Sequence, residues 1–136
     1  MLWTVYMKEE TDNSLVWNPP FIEEKDTIND SYRKSRGGRA EMITIYCVSC
    51  SSPVIYYQKD GQGNLYRCYI DRIVYPYGYK DILHNKEISA DQKQLKCRVC
   101  NTSIGTLIVY DKEQRYAYGL FRNKFYKRKD KKKWEY

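Results

Sequence analysis

Cys47-Val48-Ser49-Cys50 is answered, 46 residues later, by Cys97-Arg98-Val99-Cys100. A gap of two residues lets a tight turn aim both sulfurs at one ion. Zinc takes four tetrahedral ligands, and thiolates suit it. Two such turns fill the coordination sphere and leave no open position, which points to a structural ion rather than a catalytic one. The four expected metal ligands are therefore Cys47, Cys50, Cys97 and Cys100, and the expected ion is Zn²⁺. The competing readings are four unrelated thiols or two local disulfides. Disulfides at this spacing are mostly redox motifs in a strand-to-helix context, and neither pair has that context here.

Working outward, the flanks of both pairs read as short strands. Ile43-Thr44-Ile45-Tyr46 leads into the first pair and Val54-Ile55-Tyr56-Tyr57 follows it. Lys59-Asp60-Gly61-Gln62-Gly63-Asn64 is a turn, rich in residues that tolerate positive φ. Leu65–Tyr75 is a long β-branched and aromatic run, so one strand is expected there. Residues 79–94 are polar and read as a loop with a short helical turn. Ile104–Tyr110 and Arg115–Phe121 read as a strand pair across the turn Asp111-Lys112-Glu113-Gln114. Helix signals are almost absent. A small all-β module of this kind has a modest core and benefits from a metal staple.

The expected organisation has three parts. Residues 1–41 form an acidic, irregular extension, with Leu2-Trp3-Val5-Tyr6 and Leu15-Val16-Trp17 as docking anchors. Residues 42–121 form the zinc-binding β domain. Residues 122–136 form a basic, aromatic tail. Charge follows this division: residues 1–31 hold two Lys against seven Asp and Glu, while residues 122–136 hold eight Lys and Arg against two acids. The whole chain of 136 residues carries a net charge of +7. Its mean hydropathy is −0.80, and no run approaches the ~20 apolar residues of a spanning helix. The N-terminal stretch lacks the pattern of a signal peptide. With five cysteines, an odd number, a reducing intracellular compartment is expected, the cytoplasm first.

Cys97-Arg98-Val99-Cys100-Asn101-Thr102-Ser103-Ile104-Gly105 resembles the second knuckle of the Yippee-type zinc domains, where a Leu-Gly pair follows the last Cys at the same distance. Gln114-Arg115-Tyr116 resembles the Gln-Lys/Arg-Tyr turn of those proteins, and Gly61-Gln62-Gly63 their Gly-rich step before the central strand. The likeness spans about residues 45–121. Thr106 stands where the family has Trp. The resemblance implies a β-tent fold with one zinc ion. The expected class is thus all-β, a small zinc-stapled β-tent or zinc-ribbon-like domain with irregular terminal extensions. Methionine sulfoxide reductase B shares the β-tent fold but uses a Cys beyond its second knuckle, and no Cys follows Cys100 here.

Other chemistry is sparse. Cys68, the one cysteine outside the pairs, lies in an apolar strand and reads as a core thiol. His84, the single histidine, reads as a solvated loop residue. No paired carboxylates, Ser-His-Asp set or phosphate-cradling Gly loop is present, so no catalytic residue is expected. Ser49, Ser51, Asn101, Thr102 and Ser103 are candidate donors to the sulfurs, and Lys96 and Arg98 are candidate charge partners. Tyr75-Pro76-Tyr77-Gly78-Tyr79 suits either an aromatic cage or, more commonly, a cover for the core edge.

Arg122, Lys124, Lys127, Arg128, Lys129, Lys131, Lys132 and Lys133 are interleaved with Phe125, Tyr126 and Trp134. Cations release condensed counterions from nucleic acid, and aromatics stack on unpaired bases. The expected role is a non-enzymatic structural or adaptor module. It would contact nucleic acid, RNA favoured, through this tail, and a protein partner through the N-terminal extension or the Tyr-rich sheet. A protein- or peptide-binding adaptor without nucleic acid is the alternative, and a thiol-dependent enzyme the third reading. No membrane contact is expected.

Overall fold

The structure, a computed structural model, describes residues 17–129, with the side chain of Glu24 left aside. It is built from two four-stranded antiparallel sheets. In the first, β1 (Ala40–Cys47) and β2 (Pro53–Asp60) form a hairpin. In the second, β5 (Gln94–Lys96) and β6 (Ser103–Tyr110) form another, and β7 (Arg115–Leu120) returns along β6. The strand orders are β4-β2-β1-β8 and β3-β7-β6-β5. Ile43, Ile45 and Cys47 alternate along β1 toward the core, where they meet Ile55 and Tyr57 of β2 and Leu95, Ile104 and Tyr118 of the second sheet. Among the described residues, no helix is long and apolar enough to cross a membrane.

The Leu65–Tyr75 run is not one strand. It splits into β3 (Arg67–Tyr69), a 3-10 turn at Ile70–Arg72, and β4 (Ile73–Tyr75). β3 pairs with β7 in the second sheet and β4 with β2 in the first. The break falls on the adjacent charges Asp71 and Arg72. Arg72 is buried and reaches Asp60 at 2.9 Å and Asp30 at 2.6 Å, while Asp71 meets Arg115 at 2.7 Å. A buried charge has to be paired, and the turn lets each of these reach its partner.

The expected boundaries are also redrawn. β1 opens at Ala40, before Met42. Ahead of it, the one-turn helix α1 (Ser31–Ser35) is capped by the Asp30 carboxylate, which accepts from the Arg33 N–H. The described part of the N-terminal segment lies against its own domain. The Ile22 N–H donates to the Tyr56 hydroxyl, and the Ile28 amide exchanges two bonds of 2.8 Å with the Gln58 side chain. That explains why Met42 and Thr44, on the face of β1 opposite Ile43 and Ile45, are buried. Trp17 packs edge-on against Tyr75. Leu2–Tyr6, Leu15 and Val16 lie outside the described residues.

At the other end, the expected tail begins with a strand. β8 (Phe125–Lys129) pairs with β1 from Ile43↔Lys129 to Cys47↔Phe125, and Phe125 packs on the core. The alternation signal of β8 is masked in sequence by its charges, since Lys127, Arg128 and Lys129 are consecutive and exposed on both faces at the sheet edge.

Candidate metal centre and basic strand

Each cysteine pair is the turn of a hairpin, one in each sheet, and the two turns are built alike. The Cys47 N–H donates to the Ser52 carbonyl and the Cys97 N–H to the Thr102 carbonyl, both at 2.9 Å. The Ser51 N–H returns to the Cys47 carbonyl at 2.7 Å and the Asn101 N–H to the Cys97 carbonyl at 3.0 Å. Ser51 and Asn101 both adopt positive φ, 61° and 65°. That left-handed step carries the chain out of each turn, and Asn accepts it more readily than Ser.

The turns bring the four sulfurs together, all within 4.8 Å of one another. Cys47 and Cys100 stand 3.6 Å apart and Cys50 and Cys97 3.5 Å, so the close pairs run between sheets. A tetrahedron with metal–sulfur bonds of about 2.3 Å has edges of about 3.8 Å. The four cysteines therefore fit one tetrahedral ion. Cys47 and Cys97 are buried, Cys50 is half-buried and Cys100 exposed, which sets the centre at the rim of the core.

The sulfurs differ in environment. The Thr102 hydroxyl lies 3.0 Å from the Cys100 sulfur and, with the Thr102 amide, holds that thiol well below its usual range. The Ser52 hydroxyl is the main influence lowering Cys50. Burial pushes Cys97 up, against N–H donation from Val99 and Cys100. Thr102 thus acts as expected. Ser52 occupies the equivalent position in the first turn, and reading the two turns in register would have found it. Arg98 places its guanidinium 5.1 Å from the Trp17 ring centroid, tying the N-terminal segment to the second turn.

The candidate nucleic-acid residues divide. Arg122 and Lys124 are exposed ahead of β8, whose last three residues, Lys127, Arg128 and Lys129, are exposed on the sheet edge. Tyr126 stacks on Tyr46 across the β1–β8 pair at 5.1 Å, and Arg128 packs 5.4 Å from the Tyr126 ring. Lys131, Lys132 and Lys133 lie outside the described residues.

Cys68 is 0 % exposed, and burial pushes its thiol well up. His84 ends an exposed 3-10 turn (Tyr79–His84). Of the three tyrosines around Pro76, Tyr75 and Tyr77 pack edge-on at 5.2 Å, while Tyr79 turns away to the core, so the three do not form one cage. Tyr75 belongs to the outer face with Trp17, Tyr79 packs on the core beside Tyr118, and Tyr77 is 74 % exposed. Sequence reading passed over the ion network of Arg36, Asp71, Arg72, Glu113 and Arg115. There Glu113 takes Arg36 and Arg115, each at 2.9 Å, and Arg115 lies 3.9 Å from both the Tyr32 and Tyr69 rings.

Comparison with family models, curated proteins and solved structures finds no match to this chain.

Proposed function

We propose that this chain is a non-enzymatic, zinc-stapled β module that contacts nucleic acid, RNA above all, as an adaptor within a larger assembly. The observation that carries the nucleic-acid reading is the row Lys127, Arg128 and Lys129 on an edge strand. Of the three, Lys129 alone meets a carboxylate among the described residues, Glu41 at 3.8 Å. Unmatched cations beside aromatic rings suit single-stranded nucleic acid, where phosphates release counterions and bases stack. A closed set of four thiolates supports a structural ion, and an S₄ tetrahedron suits zinc or iron. A buried Cys68 and a solvent-facing His84 support the non-enzymatic reading. The Yippee-type, β-tent likeness rests on the cysteine spacing and the Ile104-Gly105 step, and a knuckle in each of two sheets agrees with it.

Elemental analysis of the purified protein should give one zinc per chain, whereas a coloured preparation would mark iron. Anisotropy with single-stranded RNA should weaken as salt rises. If about four cations touch phosphates, log K falls against log salt with a slope of about −3. Binding of protein partners that ignores salt would instead favour the second reading, in which the free edge of β8 accepts a partner's strand.

A further inference from the structure

Between β2 and β3 lies a cavity of about 320 Å³ lined by Arg36, Lys59, Asp60, the 61–65 loop, Tyr66 and Arg67. That volume sits at the low end of small-molecule sites, about 300–1,000 Å³. Lys59 is 5 % exposed, and among the described residues its ammonium makes one contact, donating to the Gly61 carbonyl at 2.9 Å. The nearest acids, Glu41 and Asp60, attract it without forming an ion pair. Glu41, opposite Lys59 in the β1–β2 register, lies 3.8 Å from Lys129, and Asp60 takes Arg72. Burial lowers the Lys59 pKa most; Glu41 and Asp60 act against that, and Lys127 adds repulsion. Arg67 also lacks a carboxylate partner among the described residues. Its Nε donates to the Tyr69 hydroxyl and its guanidinium packs 4.1 Å from the Tyr110 ring. Arg36 is matched by Glu113.

A buried charge is retained where something pairs it. Two cations in one cavity, neither with a carboxylate in ion-pair reach among the described residues, suit an anion, and a phosphomonoester carries about −1.5 to −2 near neutral pH. The loop adds donors, since among the described residues the N–H groups of Gln62, Gly63 and Asn64 take part in no backbone hydrogen bond. Gly61 holds the loop close: at φ 82° its missing Cβ would stand 2.9 Å from the Arg36 carbonyl oxygen. Beside the cations, the Tyr66 ring is 56 % exposed, and its hydroxyl accepts from the Asn64 amide at 3.1 Å. An exposed, anchored ring is a stacking surface for a flat group.

We infer that this cavity binds a mononucleotide, with Lys59 and Arg67 holding its phosphate and Tyr66 lying against its base. The inference is independent of the nucleic-acid reading of β8. Its source is either a free nucleotide or the 5′-phosphorylated end of a strand, which share this chemistry.

Calorimetric titration of the full, metal-loaded chain with uridine 5′-monophosphate, adenosine 5′-monophosphate and the two parent nucleosides tests it. At least one monophosphate should bind at least tenfold tighter than its nucleoside. Lys59→Met should weaken that binding tenfold or more, and Lys86→Met, exposed and outside the cavity, should not. Arg67→Gln gives the same reading if Lys59→Met fails to fold by circular dichroism. A 5′-phosphorylated oligonucleotide that binds tighter than its 5′-hydroxyl form, in a Lys59-dependent way, assigns the strand end; equal binding of the two forms assigns the free nucleotide. No binding of either monophosphate, or binding unchanged in both Lys59→Met and Arg67→Gln, overturns the proposal. Loss of the β8 salt dependence would leave it untouched.

Discussion

A methyl group at Gly105 would stand 2.7 Å from the Gly119 carbonyl oxygen, backbone that has no rotamer to yield. The absence of a Cβ at this position is what lets β6 and β7 close directly after the second cysteine turn. Gly105→Ala should cost about 1–3 kcal/mol, the usual price of overpacking, read as a lower midpoint in urea. The Ile104-Gly105 step was visible in sequence as a pattern. Its cause was not, because the clash is with a residue fourteen positions away in the next strand. Cys68 was legible for a simpler reason. An apolar run places a lone thiol in the core whatever the details of packing, and its complete burial follows.

At the scale of elements, β8 changes what a truncation means. Removing residues 130–136 leaves the strand whole. It should weaken RNA binding and flatten the salt slope while metal content and melting temperature hold. Removing residues 122–136 strips β8 from β1 and breaks the bond from the Val48 N–H to the Lys124 carbonyl, at 3.1 Å, in the first cysteine turn. That variant should melt lower and lose metal more readily, measured by thermal denaturation and elemental analysis side by side. The strand escaped notice because Lys127, Arg128 and Lys129 hide its period. The Leu65–Tyr75 run misled in the opposite sense: its composition favours strand throughout, and the demand of Arg72 for carboxylates from two other segments bends it.

For the molecule as a whole, the ion and the charge network hold different ends. A four-thiolate zinc site is worth about 10–16 kcal/mol in finger peptides, against about 5–15 kcal/mol of net stability for a domain. Chelation should therefore abolish cooperative melting and the β signal in circular dichroism. Survival of both without metal would remove the staple from the account. The network adds a pH dependence. Burial raises Glu113 and Asp30, but hydrogen bonds from Arg36 and Arg115 to the first, and from Arg72 and the Arg33 amide to the second, hold both below their ordinary values of 4.5 and 3.8. Groups lowered in this way contribute stability that is complete above the ordinary value and lost as pH falls through the folded one. Stability should thus be flat in this respect above about pH 5 and fall below it. Glu113→Gln should reduce the loss relative to the wild type, as followed by urea denaturation from pH 6 to pH 3. The paired measurement separates the carboxylate from acid protonation of the cysteines, which both proteins share.

The sequence by itself picked out the four cysteines that cluster and the all-β class. Ligand spacing and strand composition are local properties, and a turn of two residues aims its sulfurs wherever it occurs. Tertiary structure alone decided that each turn belongs to a different sheet, so that an ion held by the four sulfurs would join the two. It decided too that the N-terminal segment covers the first sheet, that the basic tail adds a strand to it, and that Lys59 is enclosed with no carboxylate in ion-pair reach among the described residues. Each of these depends on which distant segment supplies a partner for a backbone edge or a buried charge, and no local pattern carries that information.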